Sequence, residues 1–259
     1  MNSSDWSLLF FTLIGQFSAG AVTALLLFAI FSKSQPNTST IKFFSNTLLV
    51  ATITILVALL ISFLHLSAPL SSVFAISNIK SSWLSREILM VSVYAAAIFA
   101  TTVYWQWFRG KGIFIRPLLL VSASLGLGMV YTMGKIYMIP TVPIWNTPAT
   151  LVAFFANTLI LGFSFALMMM HLSFPNELFQ KLEKTFLYLI ILVLAIKVIV
   201  GSIHWVGDLE ESVGFASRSI PGIWQALSWG WLIALGLIIR KVFPHPQDKP
   251  GGKGIYIVA

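Results

Sequence analysis

Residues 6–31 read WSLLFFTLIGQFSAGAVTALLLFAIF, and this stretch decides the solvent in which the chain folds. It holds no charged residue, and it exceeds the ~20 apolar residues that a helix needs to cross a bilayer. A cleavable signal peptide has a shorter apolar core behind a basic flank, and no such flank precedes residue 6. The stretch therefore predicts a first transmembrane helix.

Six further apolar stretches of similar length follow along the 259-residue chain. The seven predicted spans are 6–31, 43–66, 87–108, 117–139, 150–172, 185–205 and 222–243. Hydrophobic residues make up 58% of the chain and charged residues only 9%, which is too little polar surface for a soluble fold. None of the stretches alternates as the strands of a membrane barrel do. The sequence predicts an all-α integral membrane bundle of seven helices over 1–243 and a polar tail over 244–259.

Small residues on two of the predicted helices indicate where helices approach closely, because glycine and alanine leave room for a neighbouring backbone. The first helix carries Gly15, Ala19 and Gly20, and the fourth carries Gly126, Gly128 and Gly134. We interpret these positions as packing contacts.

Positive charge is distributed unevenly between the connections. The odd-numbered connections and the tail hold eleven Lys and Arg residues, and the even-numbered connections hold three. By the positive-inside rule, this difference places the N-terminus outside and the C-terminus in the cytoplasm. The net charge of +8 follows from the same distribution, so it does not indicate nucleic-acid binding.

The sequence contains no cysteine, so the protein cannot itself ligate an iron–sulfur cluster. Any such cluster must belong to a partner. Phosphate-binding loops, the zinc-protease HExxH pattern and the nucleophile elbow are also absent from the sequence. We therefore predict no catalytic residue and no metal ligand in this protein.

Three ionisable side chains near the outer ends of the predicted helices, with one polar neighbour at greater depth, suit a quinone headgroup. His65 ends the second helix, Glu87 begins the third, Lys135 lies one turn before the end of the fourth, and Gln16 lies deeper in the first. A quinol needs hydrogen-bonding groups at both oxygens, and its oxidation releases two protons. A histidine, which titrates near neutral pH, can accept one proton, and a carboxylate near water can pass it on.

Each of these groups also has a structural interpretation. Backbone or water can satisfy a histidine at a helix end such as His65. A carboxylate in the first turn of a helix, as predicted for Glu87, is stabilised by the helix dipole. Lys135 can extend its ammonium to the interface.

Haem b is an alternative, because a bis-histidine haem needs two histidines at one depth. His65 and His204 both lie near the outer face, so one haem is geometrically conceivable. On the inner side only His171 lies at a helix end, so a transmembrane haem pair lacks ligands.

A small-solute transporter is a further alternative. The segment His65–Pro69 (HLSAP) resembles His171–Pro175 (HLSFP) three helices later, as in an inverted repeat. Lys197, near mid-depth in the sixth helix, has no partner evident in the sequence. Transporters place their sites at the midplane, whereas the polar groups here gather near one face.

Several phrases of the sequence, in order and spacing over the first ~160 residues, resemble the membrane-anchor subunit of dimethyl sulfoxide reductase-type molybdoenzyme complexes. The phrases are the first helix from Trp6 to Gly20, Leu64-His65-Leu66 with Pro69, Asn78, Ser82-Trp83-Leu84-Ser85-Arg86-Glu87-Ile88, Lys135-Ile136-Tyr137, Thr141-Val142-Pro143 and Thr147-Pro148. The last hundred residues match mainly in helix pattern.

The resemblance implies a function that composition does not show. Such anchors lie in the bacterial inner membrane, oxidise menaquinol and carry no haem. In this sequence, the resemblance assigns His65 to the quinol site with Glu87 nearby. It matches Gln16 to an early Gly-Gln pair and Lys135 to a position that is often basic.

The resemblance also implies partners. Such anchors hold a four-cluster iron–sulfur subunit and a molybdopterin catalytic subunit on the outer face, so the anchor serves an oxidoreductase complex without catalysing its terminal reaction. Ser82, Trp83 and Arg86 would belong to the docking surface. Members of the family often have eight spanning helices, and with seven predicted here the resemblance implies that the eighth is missing.

Overall fold

The computed structural model describes residues 3–32, 37–64, 78–109, 113–143, 145–174 and 180–212. These ranges contain six long helices, each apolar enough to cross a membrane. The helices are α1 (Ser3–Phe31), α2 (Thr38–Leu64), α3 (Trp83–Phe108), α4 (Ile115–Tyr137), α5 (Pro148–Ser173) and α6 (Gln180–Ser212). The prediction of a helical membrane protein is confirmed. The seventh predicted span, 222–243, and the tail, 244–259, lie outside the described residues.

The protein divides into two compact units, Met1–Gly207 and Asp208–Ala259. The first unit contains α1 to α5 and most of α6. Of the second unit, the structure describes only the end of α6, residues 208–212.

Helix α1 forms the centre of the first unit and packs against α2, α4 and α5. Helix α3 packs against α2 and α4. In the apolar segment of α1, 67% of the residues are buried, whereas in that of α6 only 11% are. Helix α6 therefore lies at the periphery of the first unit. Gln16, which α1 carries, is therefore enclosed by protein, whereas few side chains in the described part of α6 are buried.

Consecutive helices run antiparallel. The end of α1 meets the start of α2, where the rings of Phe28 and Phe43 lie 4.8 Å apart. Helices α3 and α4 pair Thr101 with Ser122 through a 2.9 Å hydrogen bond, and Trp83 with Lys135 near the other end. We call the end where α1, α3 and α5 begin the Trp83 end, and the opposite end the Trp105 end.

All six described helices begin two to five residues earlier than the sequence predicted, and in α2 and α3 a polar cap precedes the apolar window. Helix α2 begins at Thr38, not at residue 43, and Asn37 Oδ1 accepts a hydrogen bond from the Thr40 N–H over 2.8 Å. Helix α3 begins at Trp83, not at Glu87, with Ser82 as its cap residue. It ends at Phe108, and the cap residue Arg109 that follows has a left-handed φ of 42°.

The predicted close approaches between small residues are confirmed. A methyl group added at Gly15 would lie 2.9 Å from the Met133 Cε of α4, and one added at Gly126 would lie 3.1 Å from the Ala19 Cβ. The tightest crossing joins α1 to α5, where a Cβ at Gly20 would overlap the Thr158 carbonyl oxygen. A Cβ at Gly162 would in turn overlap the backbone of Gly20.

Candidate functional site

Glu87 is a buried carboxylate near the Trp83 end, with 6% of its surface exposed. The Ser82 side chain caps α3 by accepting a hydrogen bond from the Ser85 N–H, so Glu87 is the fifth helical residue. The expectation that Glu87 lies in the first turn was wrong, and stabilisation by the helix terminus does not account for its position. Its burial on an inward face therefore needs another explanation.

The face of α3 that carries Glu87 is directed into the bundle. Tyr94 lies on the same face two turns further along, about 10 Å at the helical rise of ~1.5 Å per residue. The Tyr94 hydroxyl is hydrogen-bonded to Ser18 Oγ over 2.8 Å, and Ser18 Oγ donates to the Ala51 carbonyl over 2.7 Å. Because Ser18 has one hydroxyl proton, Tyr94 is the donor in their bond. Through Tyr94, this face of α3 thus contacts α1, and Ser18 of α1 is bonded in turn to α2.

Gln16 is buried on α1 with 1% of its surface exposed, and its Oε1 has no hydrogen-bond partner. On a helix of ~3.6 residues per turn, Gln16 lies ~40° from Gly20, which meets α5. It lies ~160° from Ser18, the contact of Tyr94. Gln16 therefore faces the region between α4 and α5, away from α3. Its acceptor is available there to a donor that the described residues do not supply.

Lys135 does not join Gln16 but groups with two of the predicted docking residues. The Arg86 guanidinium carbon lies 4.2 Å from the centre of the Trp83 ring, and the Lys135 ammonium lies 5.3 Å from it. The Tyr131 ring meets Trp83 edge-on at 5.9 Å. We call Trp83, Arg86, Tyr131 and Lys135 the Trp83 cluster. It lies between α3 and α4, on the side of α4 opposite Met133, which meets α1.

Arg86 also holds the loop before α3. Its Nε donates to the Ile79 carbonyl and its Nη2 to the Lys80 carbonyl, both over 2.8 Å. Besides its place near the indole, Lys135 makes a weak 3.7 Å contact with the Met138 sulfur as its one hydrogen-bond contact to a described residue. Neither cation contacts a carboxylate among the described residues.

Of the three histidines considered above, the structure describes the side chain of His171 but not those of His65 and His204. His65 lies outside the described residues, in sequence directly after Leu64, the last residue of α2. His171 is exposed at the Trp105 end of α5. His204 belongs to α6, and its side chain lies outside the description.

A groove of about 600 Å³ opens on the outer surface between α2 and α3. Its lining is apolar apart from the hydrogen-bonded pair Thr52 and Thr102, 2.7 Å apart, and Gln106. None of the predicted site residues lines it. The groove therefore lies apart from Glu87, Gln16 and the Trp83 cluster.

A model of the family "DMSO reductase anchor subunit (DmsC)" matches residues 1–245. The match spans all six described helices and both proposed groups of site residues. The chain belongs to the DMSO reductase anchor subunit family. This membership confirms the resemblance read from the sequence, and it identifies a multi-pass membrane anchor of a reductase complex.

Relatives of this anchor subunit come from several bacteria. The anaerobic dimethyl sulfoxide reductase chain YnfH of Escherichia coli is 28% identical, over 93% of this protein and 86% of its own length. The C component of anaerobic dimethyl sulfoxide reductase from Haemophilus influenzae is 29% identical, over 60% of this protein and 54% of its own length. The C component of a sulfite dehydrogenase from Allochromatium vinosum is 28% identical, over 47% of this protein and 39% of its own length. No solved structure matches the anchor subunit significantly.

One polar pair in this anchor subunit was missed by sequence reasoning. Lys197 on α6 donates to Asn157 Oδ1 on α5 over 2.8 Å, so the lysine without a predicted partner has one. The available signal was the asparagine itself, which interrupts an apolar stretch of α5 at a depth comparable to Lys197. Pairing across 40 positions required knowing which faces of the two helices meet.

Proposed function

We propose that this anchor subunit oxidises menaquinol near the Trp83 end of the bundle and passes the electrons to an iron–sulfur partner. The observation that carries the proposal is the buried Glu87, placed inside the bundle close to one end in a protein of this family. A carboxylate in such a place can exchange protons with water at the bundle end. Structural burial of an acid without such a role is uncommon in membrane helices.

The proposed chemistry is the loss of two electrons and two protons from the quinol, which leaves the quinone. Glu87 receives a proton and passes it to water, together with His65, which follows α2 in sequence at the same end. Gln16 offers its free carbonyl oxygen to a quinol hydroxyl from the α4 and α5 side. Lys135 lies on the other side of α4, so its positive charge acts on the site from a distance. It does not contact the quinol oxygen that is bonded to Gln16.

The Trp83 end is proposed to be the outer end in the bacterial inner membrane. The excess of Lys and Arg in the odd-numbered connections supports this orientation. Protons from the quinol are then released on the outer side, so this step by itself moves no charge across the membrane. A pH-sensitive dye trapped in vesicles measures this directly, and delivery of protons to the cytoplasmic side contradicts the orientation.

The proposed partners are a four-cluster iron–sulfur subunit and a molybdopterin catalytic subunit at the Trp83 end. Ser82 and the exposed residues Lys80 and Ser81 before it form a short connection that presents backbone and cations to water. Arg86 stabilises that connection by donating to the Ile79 carbonyl, and the Trp83 ring packs against the Arg86 guanidinium. The terminal substrate belongs to the partner, and relatives named for both dimethyl sulfoxide and sulfite leave its identity open.

The proposal is tested by Glu87→Gln in the assembled complex, with a reduced naphthoquinone analogue as electron donor. Loss of an acid–base group lowers the rate of quinol oxidation by about 10²- to 10⁴-fold. Reduction of the terminal acceptor by an artificial dye that bypasses the anchor stays normal. Glu183→Gln, at the opposite end on α6, is the matched control and keeps the wild-type rate.

Wild-type quinol oxidation in Glu87→Gln refutes the assignment of Glu87. His65→Ala gives an independent measurement of the same site and is expected to lose quinol oxidation while the partners stay bound. A Soret band in the reduced-minus-oxidised spectrum of the purified protein identifies a haem b carrier instead. Uptake of a solute by the purified protein alone in proteoliposomes identifies a transporter.

A further inference from the structure

The Trp83 cluster concentrates positive charge at the end of the membrane span. Both cations lie near one indole ring, so they are within about 10 Å of each other. Among the described residues, no carboxylate contacts either of them. Two like charges at this separation in a low-dielectric setting repel each other, and an anion between them relieves the repulsion.

Some N–H donors of Arg86 and Lys135 have no partner within the described part of the chain, and these donors suit a phosphate. A guanidinium has five N–H donors, and Arg86 uses its Nε and Nη2 on the Ile79 and Lys80 carbonyls. Those two bonds and the Trp83 ring fix the guanidinium plane, so its remaining donors are already oriented. The half-buried Lys135 ammonium adds three donors with one weak sulfur contact. Arginine fixed in this way binds phosphate oxygens well.

The surface beside the cations is apolar and faces away from α1. Tyr131 is 41% exposed, and Val93 is 40% exposed seven residues after Arg86, on the same face of α3. In a membrane protein, such a surface between two helices contacts acyl chains. A carboxylate of a partner protein would contact only the two cations. A phospholipid would contact the cations with its phosphate and the neighbouring apolar side chains with an acyl chain, so it matches the whole surface.

We propose that the Trp83 cluster, with the strip formed by Tyr131 and Val93, is a binding site for an anionic phospholipid. Its phosphate lies between Arg86 and Lys135, and one acyl chain follows the exposed strip of Tyr131 and Val93. Lipid binding is measured on the protein without quinol or partner subunits, so its failure is distinguishable from failure of the proposed quinol oxidation.

The test uses phosphatidylglycerol and phosphatidylcholine that carry the same photoreactive diazirine in one acyl chain. The full-length protein in detergent is labelled with each lipid at equal mole fraction, and adducts are mapped by mass spectrometry. Each membrane-surface cation strengthens anionic lipid binding about fivefold. We expect phosphatidylglycerol to exceed phosphatidylcholine at least about fivefold on peptides covering 86–93 and 127–135.

Variants assign that preference to the cluster. Lys135→Gln leaves the loop bonds of Arg86 intact and is expected to lower phosphatidylglycerol labelling about fivefold. The double variant R86Q/K135Q loses the preference entirely. The control K42Q/K184Q removes two exposed lysines at the Trp105 end, has the same net charge, and keeps the preference here. Circular dichroism and size-exclusion chromatography verify that each variant is folded.

Two results overturn the proposal. The first is equal labelling by the two lipids, and the second is a preference that survives in a folded R86Q/K135Q protein. If that variant labels normally but no longer co-purifies with its partner subunits, the cluster binds an acidic protein surface and the lipid site is refuted.

Discussion

Gly20 of α1 and Gly162 of α5 lie against each other, and neither position has room for a side chain. A Cβ at either residue would overlap main-chain atoms of the other helix, which cannot move aside as a side chain tip can. The contact between these two helices therefore depends on both residues being glycine.

Gly162→Ala is expected to destabilise the bundle by about 2–3 kcal/mol, because the added methyl group forces α1 and α5 apart. The free energy of unfolding in bicelles measures the effect. Gly201→Ala on α6 is the matched control, since nothing lies within 4 Å of a Cβ there. It should be neutral or stabilising by up to about 1 kcal/mol. Equal stability of the two variants contradicts the crossing described here.

The hydrogen bond between Ser18 and Tyr94 predicts that substitutions of its two partners destabilise the protein by different amounts. Tyr94→Phe removes a donor and leaves Ser18 bonded to the Ala51 carbonyl, which should cost about 1 kcal/mol. Ser18→Ala leaves the buried Tyr94 hydroxyl without its acceptor, which should cost about 1–3 kcal/mol. Thermal unfolding in detergent ranks the two. A larger loss for Tyr94→Phe would reverse the donor assignment.

The hydrogen bond between Lys197 and Asn157 predicts that removing the asparagine destabilises the protein more than removing the lysine charge. Asn157→Leu strands an ammonium within the membrane and should cost about 1.5–3 kcal/mol. Lys197→Met removes the charge and should cost less, because a flexible apolar side chain replaces it against lipid. Adding Lys197→Met to Asn157→Leu should restore stability. The unfolding free energies of the two single variants and the double variant measure this coupling, and additive losses would contradict it.

Because no described residue donates to the buried carbonyl oxygen of Gln16, replacing this side chain should raise the stability of the protein and weaken quinol binding. Gln16→Met fills similar space without a polar group, so the protein should become more stable by about 1–3 kcal/mol. The KM for a naphthoquinol should rise about tenfold if a quinol hydroxyl donates to this oxygen. Melting temperature and steady-state quinol kinetics of the assembled complex supply the two readouts. An unchanged KM removes Gln16 from the proposed site.

The six helices within the described ranges were predictable, because length and hydropathy are properties of contiguous sequence. Their ends were less so. The charged pair Arg86-Glu87 made the apolar window of α3 begin too late, while the true start is set by a cap at Ser82. Likewise, α6 continues to Ser212 beyond its apolar window, through acidic residues that a hydropathy criterion rejects.

The candidate site was predictable in composition and not in arrangement. Glu87 stood out as a charged residue at a span boundary, and the structure buries it. That Lys135 lies beside Trp83, while Gln16 faces α4 and α5, depends on the rotation of each helix about its axis. The hydrophobicity of these helices is nearly uniform around their circumference, so no apolar stripe reveals that rotation. Only contacts between helices reveal it.

The central position of α1 has a consequence for biogenesis. Helix α1 is synthesised before the other five described helices, but its glycine at position 20 finds its partner only when position 162 has been synthesised. Until α5 is synthesised, we expect the Gly20 side of α1 to stay beside the translocon or a membrane chaperone. We expect nascent chains stalled before α5 to crosslink to such insertion factors through residue 20, and chains stalled after α6 to release them.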